Sequence, residues 1–270
     1  MSRTAIAAGI RRLYHYEKFN SAYLVDVLVG QRVHCADPAA LNDPWDCRPW
    51  FDDEALDNPN AVDELINWFF SFQPTSPVSE EQVRATQEEI RTNPEYRRQI
   101  LDRFSKDFLK VIPDRWKLYC LTPVPDSTLM WSHYAENHTG ICLEFALDNA
   151  VFGSAQEVTY LASYPKWTPH SLMTGDGPHV LLTKSDDWQY EREYRVIGLG
   201  EGIARPYKGH PLMLSGNFLG LPAGALQAVI VGCEAGYETI KALVSAVAPS
   251  LKVKRAVRAR TRYRLEIVEG

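Results

Sequence analysis

"RLYHYEKFNSAYLVDVLVGQRVHCADP", Arg12 to Pro38, reads as strand, helix, strand: an aromatic-rich extended run, a helix capped at Ser21 and stopped at Gly30, and a second strand from Gln31. Such a unit opens doubly wound dinucleotide folds and mixed α+β folds alike. The turn between the first strand and the helix separates them. It lacks the GxGxxG glycines that bring backbone against a pyrophosphate, so a doubly wound sheet is disfavoured. Beyond it, helices are sparse and irregularly placed among short strands. The expected class is α+β, around one split or strongly bent, mostly antiparallel sheet in a single domain spanning residues 1–270.

Working outward, "ALNDPWDCRPW" closes the opening unit with a turn at Asn42, Asp43 and Pro44. Residues from about 60 to 112 form a helical insertion: "AVDELINWFF", a second helix with a Ser79/Gln82 capping box, and a third starting at Asn93-Pro94 and ending at Pro113. Strands follow in "KLYCLTP", "GICLEFAL" and "EVTYLASY", with a helix from Asp126 or Ser127 to a break at Gly140. A less regular "HVLLTKSDDW" leads to "EYRVIGLG", "LQAVIVG", the helix "YETIKALVSAV" and final strands.

Composition is that of an ordinary folded protein, 45% hydrophobic and 23% charged. No apolar run approaches the roughly 18 residues of a membrane helix, and no long apolar signal core opens the chain, so a cytoplasmic setting without a membrane partner is expected. The five cysteines, at 35, 47, 120, 142 and 233, include no CxxC pair and read as free thiols. Charge is unevenly spread. Lys252 to Arg264 holds seven basic residues and no acidic one, so a chain of net charge −5 carries −12 elsewhere.

No Walker loop, GxSxG elbow or HExxH is present. In "WQYEREYRVI", Trp188 to Ile197, an extended chain places Glu191, Glu193 and Arg195 on one face. Two carboxylates so spaced can polarise a sugar hydroxyl or stabilise a developing cation. The plainer reading, favoured by spacing alone, has Glu193 and Arg195 neutralising each other along a solvated strand. His133 and His138 are five apart, wrong for two metal ligands on one helix face; aromatic packing is the plainer reading, with His133 open to a polar ligand. His15 points opposite to Tyr14 and Tyr16, toward either a cleft or the core. Asp43 and Asp46, with Glu144 as a distant third ligand, can be drawn as a cation site, but ordinary turn chemistry explains "NDPWD" better. From Lys254 to Arg264 the even positions, Ala256 apart, are basic and the odd ones mostly apolar, as in a strand with one buried face and one cationic stripe. That stripe suits phosphates of a nucleotide or nucleic acid, or simply keeps an edge strand soluble.

In their order, "LYHYEKF", "ALNDPWDC", "LMWSHYAENHTGICLEF" and "WQYEREYR" resemble the bacterial domain-of-unknown-function family 2971, from about Leu13 to Ile197. A weaker likeness is to ADP-ribosyltransferases, which have a split antiparallel sheet, a histidine or arginine on an early strand, and a glutamate, often Glu-x-Glu, opening a later one. His15 is similar to the first feature and Glu191-Arg192-Glu193 to the last; no Ser-Thr-Ser strand motif appears. The resemblance implies NAD as the nucleotide, with Glu193 as catalytic carboxylate, Glu191 orienting the acceptor and His15 beside the nicotinamide ribose. It places Tyr16, Asn42, Asp43, His133, Tyr134 and Arg195 around the nucleotide, with Tyr119, Tyr134 and Tyr160 as candidates for the tyrosine of a His-Tyr-Glu set. The expected activity is NAD-dependent ADP-ribosyl transfer to a macromolecular acceptor, protein or nucleic acid, by a toxin or phage-defence effector. The alternatives are a non-catalytic nucleic-acid or protein-binding module and, third, a metal-dependent nuclease using Asp43, Asp46 and Glu144.

Overall fold

The computed structural model describes residues 3–51, 56, 58–71, 79–168, 177–200 and 212–270. Its main sheet has the strand order β1 (Arg12–Glu17), β5 (Ile141–Ala146), β13 (Leu226–Val231), β14 (Lys252–Arg258) and β15 (Leu265–Glu269). All pairs are antiparallel except β13 with β14, which are joined through helix α6 (Tyr237–Val247). A second sheet pairs β10 (Tyr194–Leu199) with β4 (Trp116–Leu121), β11 (Leu212–Met213) and β6 (Gln156–Glu157). Among the described residues three short two-stranded ladders are added: β2 (Arg32–His34) with β12 (Phe218–Gly220), β3 (Trp50–Phe51) with β8 (Lys166–Trp167), and β7 (Thr159–Leu161) with β9 (Thr183–Ser185).

The centre of the main sheet is covered on both faces, which is why β5 is buried along its whole length. Ile141, Leu143 and Phe145 join Leu13, Val229 and Val231 beneath α1 (Ser21–Gly30) and α6. Facing the other way, Cys142 joins Tyr16, Ile230 and Ala256 under Met130 and Trp131 of α5 (Thr128–Tyr134). After α5, residues 136–138 all take left-handed φ angles before the chain enters β5 at Gly140. A Cβ at Gly140 would collide with the Glu17 carbonyl, so the break there is steric necessity.

The helical insertion comprises α2 (Pro59–Ser71), α3 (Glu80–Thr92) and α4 (Pro94–Arg115), packed through Ile66, Ile90, Leu101 and Phe108 onto Leu118, Ile197 and Leu199 of the second sheet. The Ser79/Gln82 capping box forms as the sequence predicts, and the Asn93 side chain accepts from Tyr96 N. Two expected boundaries move. Asn20, not Ser21, caps α1 by accepting from Tyr23 N. Helix α4 runs past Pro113 to Arg115, and the Lys117 ammonium donates to the Pro113 carbonyl at 2.5 Å.

Among the described residues the two sheets meet at one bridge, where Tyr14 and Thr122 exchange backbone bonds of 2.7 and 2.9 Å. One residue further along β1, the contact to β4 is made by a side chain: His15 Nδ1 lies 2.7 Å from the Cys120 carbonyl. Strand pairing is interrupted there, within the α+β class that the sequence leads one to expect, and a cavity opens beside the bridge.

Candidate functional site

The segment expected to be extended from Trp188 to Ile197 is not. Ser185 caps a 3-10 turn over Asp186–Glu191, and Arg192 adopts φ 49°, so the strand begins only at Tyr194. Local Ser and Asp capping overrides the period-two pattern. Glu191, Glu193 and Arg195 nevertheless converge, joined by Lys184 of β9 and Asp46 of the turn after Asn42.

These five side chains form a buried charge cluster, not a solvated stripe. Arg195, 1% exposed, uses all five N–H donors: two to Asp46 (2.8 and 2.5 Å), two to Glu193 (2.8 and 2.9 Å) and one to the Leu181 carbonyl (2.7 Å). Lys184 donates to Glu191 at 2.6 Å and to Glu193 at 3.2 Å, its ammonium 4.9 Å from the Trp188 ring centre. The Tyr134 hydroxyl donates to the remaining Glu191 oxygen at 2.5 Å and accepts from the Asn42 amide at 3.1 Å.

The two glutamates are driven apart in proton affinity. For Glu193, burial pushes upward, but Arg195 and Lys184 outweigh it and hold the carboxyl at about 2. For Glu191, burial dominates, Lys184 only partly offsets it, and the ionised Glu193 pushes in the same direction as burial; its affinity for a proton is raised. Burial raises Tyr134 as well, with Glu191 adding to it, so Tyr134 keeps its proton and remains a donor.

A cavity of about 80 Å³ lies at the split, lined by His15, Tyr16, Asn42, Tyr134, Glu191 and Glu193 among others. His15 stacks on Tyr119 with ring centres 4.3 Å apart, and burial lowers its affinity for a proton to about 4 against the opposing carbonyl bond from Cys120. It is therefore neutral at pH 7, with the proton on Nδ1 where it can donate to that carbonyl. Glu17 lies 4.0 Å from His15 Nε2, but burial lifts its carboxyl to about 8, so near neutral pH this contact is not an ion pair. Tyr16 lines the same cavity while its hydroxyl is committed to the Val124 carbonyl at 2.7 Å.

Beyond Lys184 and Asp46, which line both hollows, lies a larger pocket of about 550 Å³. Trp45, Trp167, Trp188, Tyr164 and Tyr190 supply ring faces, and His133 Nδ1 lies 2.9 Å from the Tyr190 hydroxyl. Asp43 Oδ1 accepts from Trp45 N at 2.9 Å, the turn chemistry expected of it. Its other oxygen, Oδ2, is buried in the pocket wall without a hydrogen-bond partner, on a residue only 2% exposed. Together the hollows offer planar stacking surfaces, an unsatisfied carboxylate oxygen, a cation at Arg48 and a raised-affinity glutamate behind a shared wall.

Of the residues singled out from sequence, His15, Tyr16, Asn42, Tyr134, Glu191, Glu193 and Arg195 line the small cavity, and Asp43 and His133 the large one. Arg195 has no donor left for a ligand; it positions Glu193 and Asp46. Of the three tyrosines, Tyr119 packs on His15, Tyr160 accepts from Glu193 N at 2.7 Å, and Tyr134 touches Glu191. The nuclease triad does not assemble: Asp46 is bound by Arg195, whereas Glu144 is bound by Lys254 at 2.7 Å on the main sheet. Among the described residues no three His, Cys, Asp or Glu side chains form a group suited to a metal ion. The cysteines are free, as expected, and burial raises the thiols of Cys35, Cys47, Cys120 and Cys142 out of the reactive range. Sequence reasoning missed Lys184 and the aromatic wall; a lone lysine in "LLTKSDDW" carries no sign that it will be buried. Also among the described residues, no helix is long and apolar enough to cross a membrane. Neither family models, nor curated proteins, nor solved structures give a match to this chain.

Proposed function

We propose that the chain is an NAD-dependent ADP-ribosyltransferase-like enzyme on a correspondingly split sheet, with the aromatic pocket receiving the dinucleotide and Glu191 as the catalytic carboxylate. One observation carries this reading: His15, Tyr134 and Glu191, distant in sequence, line one cavity that shares Lys184 and Asp46 with a pocket large enough for a nucleotide. The tryptophan and tyrosine faces suit planar bases, Arg48 suits a phosphate, and the free Asp43 oxygen suits a ribose hydroxyl or a carboxamide.

In such a transfer the bond between the ribose C1′ and nicotinamide breaks, nicotinamide leaves with the bonding electrons, and the acceptor nucleophile bonds to C1′ as it releases a proton. A carboxylate beside C1′ stabilises the cationic transition state and holds a ribose hydroxyl. Glu191 suits this role better than Glu193. Both Glu193 oxygens accept from Arg195, whereas a ligand hydroxyl can replace Tyr134 on Glu191. Glu193 then acts as a positioning residue that keeps Lys184 and Arg195 charged. The acceptor is a macromolecule, and a toxin or phage-defence role is the setting we assign.

Nicotinamide release from NAD tests the proposal. Wild-type protein should release it, and Glu191→Gln should lose at least a hundredfold in rate with its fold intact. Wild-type protein that neither binds nor consumes NAD would sink the reading.

A further inference from the structure

The basic segment is not the single strand its alternation suggests. It forms β14 up to Arg258, a turn over residues 259–264, and then β15. The faces differ from expectation too: Ala256 is buried beneath α5 and Lys254 reaches Glu144 at 2.7 Å, while Val253 packs on the opposite face and Lys252 and Arg258 stay exposed. What remains outside is the hairpin tip, with Arg258, Arg260, Arg262 and Arg264 crowded around it. Backbone bonds from Ala259 N to the Arg264 carbonyl (3.0 Å) and from Arg264 N to the Arg262 carbonyl (2.9 Å) fix the turn.

A groove of about 860 Å³ runs between this tip and the loops bearing His138 and Glu234. Arg258 is offset by Glu234 and Arg264 by Glu266, both at 3.5 Å; among the described residues no ion pair joins Arg260 or Arg262. Tyr263 stands between Arg262 and Arg264 with its side chain wholly in solvent, 110% exposed. In the groove wall, His138 Nδ1 is buried without a hydrogen-bond partner.

Charge along an edge strand commonly blocks unwanted strand pairing. That explanation fits poorly, because the edge strand β15 itself carries Glu266 and Glu269 while the arginines gather at the turn before it. A membrane surface would want flanking apolar side chains, and Tyr263 is the one large apolar side chain in the turn. Cations repeated at alternate residues and an exposed ring among them match a flexible strand of phosphates with free bases. We infer that this groove binds single-stranded nucleic acid, the arginines meeting phosphates and Tyr263 stacking on a base. Binding here does not depend on the NAD reading; only the further step, in which the bound strand serves as acceptor, rests on it.

Fluorescence anisotropy of full-length protein with a labelled single-stranded oligoribonucleotide, across salt concentrations, tests the inference. Three to four phosphate contacts predict a slope of log K on log salt of about −2 to −3. The double variant Arg260→Ala/Arg262→Ala should lower that slope by about 1.4 and weaken binding at low salt at least tenfold. Tyr263→Ala should leave the slope alone and cost about tenfold in affinity. All three residues are solvent-facing, so thermal midpoints should match wild type. Absence of binding, an unchanged slope in the arginine variant, duplex bound as tightly with Tyr263→Ala silent, or preference for anionic phosphatidylserine vesicles would each overturn it.

Discussion

Arg195 and Arg260 are chemically the same side chain in opposite circumstances. Arg195 is buried on β10, with every N–H donor used and its charge enclosed by Asp46 and Glu193. Arg260 stands at a hairpin tip in water without an ion-pair partner among the described residues. The first is architecture: removing it leaves two buried carboxylates to share Lys184 alone in a low-dielectric interior. The second contributes almost nothing to the fold and is free to meet a ligand.

Substitution sharpens that contrast, the largest effect coming first. Arg195→Met should destabilise the protein by about 3–5 kcal/mol, read from urea unfolding, because Asp46 and Glu193 lose four hydrogen bonds and keep only Lys184 as a shared cation. A loss under 1 kcal/mol would mean that the cluster is wetter than its burial indicates. Trp188→Ala should weaken NAD binding about tenfold while leaving the unfolding midpoint nearly in place, since the ring is only half-buried and lines the larger pocket. An unchanged affinity would move the nucleotide elsewhere.

A subtler difference concerns pH. Glu17 keeps its proton in the folded state up to about 8, whereas an unfolded chain gives it up near the ordinary carboxyl value. Folding therefore retains a proton that unfolding releases between about pH 4.5 and 8, and stability falls as pH rises through that window. Glu17→Gln should remove this slope, giving a thermal midpoint that changes less between pH 5 and 8; matching slopes in variant and wild type would refute the assignment. Smallest of all, Arg260→Ala should change unfolding free energy by no more than about 0.5 kcal/mol.

Much of the framework was legible in the chain. The apolar run in "GICLEFAL", the Ser79 capping box and the Asn93-Pro94 start all report local preferences that tertiary contacts reinforce. The α+β class was legible only through the irregular order of strands and helices. Illegible features share one cause: they depend on partners far along the chain. Nothing in "WQYEREYRVI" tells that Asp46, 149 residues before Arg195, will neutralise it, or that Lys184 will turn inward. The extended reading of that segment failed because Ser185 caps a turn whose first residues are Asp186 and Asp187, and the cationic stripe failed because residues 259–264 reverse the chain. His15 shows both sides. Its direction followed from alternation, while its neutrality follows from burial that only the fold reveals.

The central claim is that Glu191 acts on a nucleotide held by the adjoining aromatic pocket, and calorimetric titration of NAD into folded Glu191→Gln protein tests it most directly. The account predicts that the variant binds NAD within a few fold of wild type although nicotinamide release is lost. Binding abolished in the folded variant, or nicotinamide release persisting at the wild-type rate, would contradict it.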